Sequence, residues 1–254
     1  MFTEWIAPFI LEGLEREGKK SYRNGGSGNK EEVMKKLIAV FLLAFGLVGA
    51  AGDLEENRQE NKFINLDVGF AMAKHADWHY LNLENAETWM STSLDTEEEK
   101  ANLKQHIQNL RDQELKTGMP PVFIARHPEP YPHLNPMIKV VLHYVDDLPK
   151  DVSPLAIAAV MAKSFSESNE GFKMMGRVQL TRISDFDAGY LRFSIEGTLP
   201  SGNNESAMNQ VYLIPRGKYI FEITISTPLE YDAATDADLE EMMESIFILK
   251  PYEI

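Results

Sequence analysis

Cysteine is absent from the 254-residue chain. Its absence rules out thiol nucleophiles, disulfides, zinc–thiolate sites and a lipid-modified cysteine behind an export signal. No apolar run reaches the roughly 20 residues that a bilayer span requires. Basic residues are scarce: 25 Lys and Arg stand against 39 Asp and Glu, a formal net charge of −14. Residues 1–50 carry seven basic and six acidic residues, so the remaining 204 hold 18 and 33, a formal −15. A domain so charged repels nucleic acid and anionic headgroups, and no nucleic-acid partner is expected. A cationic partner or a metal ion is easier to accommodate, although acidity also serves solubility by itself. The sequence further lacks a Gly-x-Ser-x-Gly nucleophile elbow and a glycine-rich loop of the phosphate-cradling kind.

What is present begins with an export pattern. Lys35 and Lys36 precede the apolar run Leu37–Val48, then the small residues Gly49, Ala50, Ala51 and Gly52, then the acidic Asp53, Glu55 and Glu56. A positive start, a short apolar stretch and a small-residue exit are the three parts of a cleavable signal peptide. We read 34–50 as that signal, with cleavage after Ala50 and release into the periplasm or medium of a bacterial cell. Residues 1–33 are expected to be a non-native or mis-called extension. Asn24–Asn29 reads as linker, Met34-Lys35-Lys36 is a typical signal start, and Lys30–Val33 can be encoded by a purine-rich ribosome-binding stretch. Residues 51–62 read as a flexible lead-in and 63–254 as one domain.

Within that domain Phe63–Leu66 and Phe70–Ala73 read as short strands around Gly69. Thr96 and Glu99 form a capping box, and Leu103, Ile107 and Leu110 stripe a helix that ends near Gly118. Val122–Ala125 and Ile138–Tyr144 read as strands, and Ser153-Pro154 opens an apolar helix. Alternation at Val178–Thr181, Leu191–Glu196 and Val211–Leu213 predicts further strands. The turn Pro215–Lys218 closes a hairpin onto Tyr219–Ile225. Asp236 is taken as the start of a last helix bearing Leu239, Met242, Met243 and Ile246. The expected fold class is α+β, an antiparallel sheet flanked by helices.

Gly69-Phe70 leading to Ala76-Asp77-Trp78, the Leu134-Asn135-Pro136 approach to a strand, and the hairpin Val211–Pro228 followed by a helix to Ile248 resemble the PsbP-like family. This is the fold of the extrinsic photosystem protein PsbP and of DcrB-type periplasmic proteins. The resemblance spans nearly all of Phe63–Leu249. It implies a three-layer sandwich that binds or assists partners, and it transfers no functional residue.

Two places invite chemistry. His75 and His79 have metal spacing on a helix, but Asp77-Trp78 argues for a turn there, with Trp78 as a core anchor. The loop Arg126–Pro136, stiffened by four prolines, gathers Arg126, His127, Glu129, Tyr131 and His133, and rigid polar loops often carry binding sites. The simplest reading is a proline-stiffened connection. His127 and His133 are candidate metal ligands. No catalytic residue and no cofactor is expected, with a divalent metal as the alternative. The function expected is therefore a non-enzymatic, exported binding or accessory protein acting on a protein or envelope component, with no membrane insertion after signal cleavage. The contrasting expectation is a metal- or carboxylate-dependent hydrolase using the Arg126–Pro136 loop.

Overall fold

The computed structural model describes residues 58–59, 61–81, 97–128, 131, 133–146, 148–149, 151–168, 171–198 and 204–249. The signal segment, the extension before it, Thr96 and Glu129 lie outside the described residues. In chain order the elements are β1 (Arg58–Gln59), β2 (Lys62–Asn65), β3 (Phe70–Ala73), β4 (His79–Tyr80), α1 (Glu97–Thr117), β5 (Val122–Ala125) and β6 (Met137–Tyr144). They continue with α2 (Pro154–Ser168), β7 (Lys173–Met174), β8 (Gln179–Ile183), β9 (Phe186–Thr198), β10 (Asn204–Arg216), β11 (Tyr219–Pro228), α3 (Ala233–Glu244) and β12 (Phe247–Ile248).

Strand alternation in the C-terminal half becomes the meander β9–β10–β11, whose last two strands join through Gly217 and Lys218 with Arg216 opposite Tyr219. Gly217 sits at φ 61, the left-handed conformation that a two-residue hairpin demands. The large sheet runs β4-β5-β6-β11-β10-β9-β7, with β8 also paired to β9. A small sheet runs β1-β2-β3-β12. All of these pairs are antiparallel. The fold is α+β, as the sequence predicts.

Period-two patterning gives the large sheet two buried faces. On one, Ile138, Val140, Leu142, Phe221, Ile223 and Ile225 pack with Phe63, Phe70 and Met72 of the small sheet and with Leu239 and Met242 of α3. On the other, Leu191, Phe193, Ile195, Val211 and Leu213 meet Ile157, Ala158, Met161 and Phe165 of α2. α1 lies against β6 with Leu103, Ile107 and Leu110 buried, and Gln113 Oε1 accepts from the Tyr144 N–H at 2.8 Å. The three layers are therefore the small sheet with α3, the large sheet, and α1 with α2.

Two sequence expectations shift. The end of the segment read as a flexible lead-in is already strand, because Arg58 and Gln59 pair with Phe63 and Lys62. The cap of α3 is Asp232, whose Oδ1 accepts from Thr235 N at 2.6 Å. Asp236 instead occupies the first turn, where a carboxylate complements the helix dipole without capping.

Candidate functional site

The loop between β5 and β6 is closed at its base by the Arg126 N–H donating to Pro136 O at 2.9 Å. Asn135, 2% exposed, then grips His127 by both backbone groups. Its Oδ1 accepts from His127 N at 3.0 Å and its Nδ2 donates to His127 O at 2.9 Å. One buried amide thus replaces a ladder pair and fixes the backbone from which the loop side chains project.

Three of the predicted residues come together. The Tyr131 ring stacks on His127 with centroids 4.2 Å apart and planes at 13°. His133 meets the same tyrosine edge-on, at 5.9 Å and 70°. His133 Nδ1 lies 3.1 Å from Glu205 Oε1, while Glu205 Oε2 accepts from Leu134 N at 3.0 Å. Glu205, from β10, therefore anchors the far end of the stack. Burial lowers the pKa of His127, and the Arg126 guanidinium adds to the effect. Burial thus favours the neutral form of the ring that stacks on Tyr131. Tyr131 and His127 are half-buried and His133 is exposed.

Arg126 points elsewhere. Its Nη1 is ion-paired with Asp238 Oδ2 of α3, and its guanidinium lies over the Trp78 ring at 5.8 Å. The same carboxylate oxygen accepts from Trp78 Nε1 at 3.0 Å, and His75 Nε2 stands 3.8 Å from Oδ1. Trp78 is 1% exposed, a core anchor whose one polar atom is satisfied by Asp238. His75 precedes a turn and His79 lies in β4, so their spacing is not helical. Glu129 lies outside the described residues. The Tyr131 ring contacts both candidate metal ligands, His127 and His133. Among the described residues no three His, Asp or Glu form a group able to hold a metal ion.

Sequence reasoning missed Asn135 as the loop's clamp, Glu205 as its anchor and Asp238 as the partner of Arg126. Asp238 and Glu205 lie 112 and 72 residues from the side chains they hold, and no local pattern signals such a pairing. What results is a fixed surface of aromatic and imidazole rings. At its margin stands Asp232, whose charge acts on both His127 and Arg126. Such a surface suits stacking on planar or cationic groups.

A second cluster of titratable side chains sits between the large sheet and α1. Glu222 of β11 is 2% exposed and Lys139 of β6 is 6% exposed. Lys139 Nζ donates to Glu222 Oε1 at 2.5 Å, Thr224 Oγ1 donates to the same oxygen at 3.1 Å, and His143 Nε2 lies 2.8 Å from Oε2. Burial alone would raise the Glu222 pKa, but Lys139 and His143 hold it well below the usual carboxylate range. Across the layer, His106 occupies the inner stripe of α1 between Leu103 and Leu110. Burial, reinforced by the charge of Lys139, pushes it down to about 4.

This cluster makes stability depend on pH with a definite sign. Below the ordinary histidine value near 6.5 the unfolded chain binds a proton at residue 106 that the folded chain refuses. The His106 contribution is therefore complete above about pH 6.5 and lost as pH falls toward 4. The Glu222 contribution is complete above the ordinary glutamate value of 4.5 and is lost below it. Urea unfolding at pH 7.5 and pH 5 should show a loss on the order of 2 kcal/mol at the lower pH. His106→Gln should lose clearly less over that interval. An equal loss in the variant would assign the effect to other groups.

No protein-family model matches the chain, and no curated protein matches it in sequence. Solved structures similar to it include a Bacteroides thetaiotaomicron protein (14% identity, TM-score 0.39, 77% of this chain and 51% of that one). The chain thus spans about half the length of that protein. A second is LpqN of Mycobacterium tuberculosis, involved in cell envelope biogenesis (12% identity, TM-score 0.43, 76% of this chain and 88% of that one). A third is the cyanobacterial PsbP, CyanoP, of Synechocystis sp. PCC 6803 (10% identity, TM-score 0.41, 79% of this chain and 98% of that one). The PsbP-like resemblance read from the sequence is met by no more than this low similarity, which carries no role over to the chain.

Proposed function

We propose that the chain is an exported, non-enzymatic binding or accessory protein that meets a protein or envelope component through His127, Tyr131 and His133. The observation that carries this reading is the bracing of His127, His133 and Leu134 on either side of the ring stack. Asn135 and Glu205 fix the backbone from both ends, while Tyr131 and His133 keep access to solvent. A recognition surface ordered before binding avoids the entropy cost of immobilising a loop. Tyrosine is also among the side chains that most often anchor protein interfaces. Export is supported by the signal pattern at 34–50. No helix among the described residues is long and apolar enough to cross a membrane.

The test is retention of envelope components on the immobilised chain, compared with Tyr131→Ala and with Asn135→Ala. Tyr131→Ala should lose most of the retained component at an unchanged melting temperature, and Asn135→Ala should lose it by freeing the loop. Undiminished retention by both variants, or none by the parent chain, would remove the loop from the function.

A further inference from the structure

A second surface lies at the other end of the large sheet, away from β4 and β5. There β8 pairs on one side with β9, and no strand among the described residues pairs with its outer side. Gln179, Leu180 and Arg182 are exposed along it. Apolar area accompanies that open edge: Leu180 is 55% exposed, and Met175, directly after β7 on the same side of β9, is 47% exposed. The hairpin that presents β8 is secured by Ile183 opposite Phe186 and by Arg182 Nη2 donating to Asp185 O at 3.0 Å.

The charge of this stretch inverts that of the molecule. Residues 171–183 contain Lys173, Arg177 and Arg182 and no acidic residue, in a chain of net charge −14. All three basic side chains are exposed. Basic residues on an edge guard it against copies of itself. Two β8 strands brought together would oppose arginine-bearing segments, and like charges across a strand pair are unfavourable. Arg182 Nε stands 4.0 Å from Asp187 Oδ1 on the same hairpin. A nucleic acid or an anionic lipid surface would meet the basic side chains but leave the outward main-chain groups of β8 without strand partners. An extended segment of opposite charge meets neither objection.

We propose that the outer edge of β8 accepts an extended acidic peptide segment of a protein partner as an added antiparallel strand. The main chain of Gln179–Arg182 supplies the ladder hydrogen bonds, Leu180 and Met175 supply apolar contact, and Lys173, Arg177 and Arg182 select for acidic side chains. This surface is separate from the His127–Tyr131–His133 loop, so either can fail without the other.

The experiment is a titration of the isotope-labelled full chain, followed by amide chemical shifts, with an eight-residue peptide of alternating glutamate and valine. The expected result is saturable shifts at the amides of residues 179–182, with about tenfold weaker binding when lysine replaces glutamate in the peptide. A peptide N-methylated at its valines, which keeps its charge but loses strand donors, should also weaken about tenfold. The double variant Arg177→Glu/Arg182→Glu, both at exposed positions, should lose binding while Tyr131→Ala retains it. Three results would each overturn the proposal: no shifts at residues 179–182, equal binding of the N-methylated peptide, or stronger perturbation of the same amides by a DNA oligonucleotide or anionic vesicles at matched charge.

Discussion

Glu222→Leu should lower unfolding free energy by about 3–5 kcal/mol, the cost of breaking a buried ion pair and leaving its partner behind. The carboxylate is 2% exposed and holds Lys139 at 2.5 Å with His143 at 2.8 Å. Removing it takes away the buried carboxylate that faces the Lys139 ammonium between the sheet and α1, where hydration is poor. Changing Lys139→Met, His143→Leu and Glu222→Leu together should recover most of the loss, because apolar side chains of similar volume require no compensating charge. Urea unfolding at pH 7.5 measures both. A triple variant as unstable as the single one would show that the charges were not the cause.

Gly189→Ala should be comparably damaging for an unrelated reason. β9 passes α2 so closely at Gly189 that a Cβ there would overlap the Pro154 carbonyl and also clash with the Ala158 methyl. The obstacle is backbone at the first residue of a helix, so no side-chain rotamer relieves it. Either α2 lifts from the sheet or β9 buckles, at a cost of about 3 kcal/mol or more, at the upper end of overpacking effects. Adding Ala158→Gly should not rescue the variant, since the carbonyl remains. A full rescue would mean that side-chain crowding was the problem. The denaturation midpoint of the two variants decides between these outcomes.

The sequence made the strands and helices legible wherever periodicity and turn chemistry agreed. The Tyr219–Ile225 alternation, the Gly217 turn and the Ser153-Pro154 helix start each carry their own local cause, and each element formed where that cause placed it. Gly189 gave a weaker signal: a glycine inside a strand pattern hints at close backbone approach but not at what approaches. The buried cluster was only half visible. His143 alternates away from the Ile138–Tyr144 apolar face, which reads as surface or inter-layer packing, but Glu222 and Lys139 look like solvent-facing charges in a one-sided strand. Their burial follows from α1 covering that face, a tertiary fact with no local trace. The loop shows the same division. Its prolines and rings could be read from the sequence, whereas the departure of Arg126 to Asp238 depends on a helix 112 residues away.

The pairing of β12 with β3 sets the timetable of folding. Phe247 lies opposite Ala71, so the small sheet joins residues 176 positions apart. The β9–β10–β11 meander, by contrast, needs only neighbouring chain and can form early. Long-range closure is entropically slow, and the β12 clasp is therefore placed among the last contacts made and the first released. Weakening it should quicken unfolding while leaving the folding rate nearly unchanged.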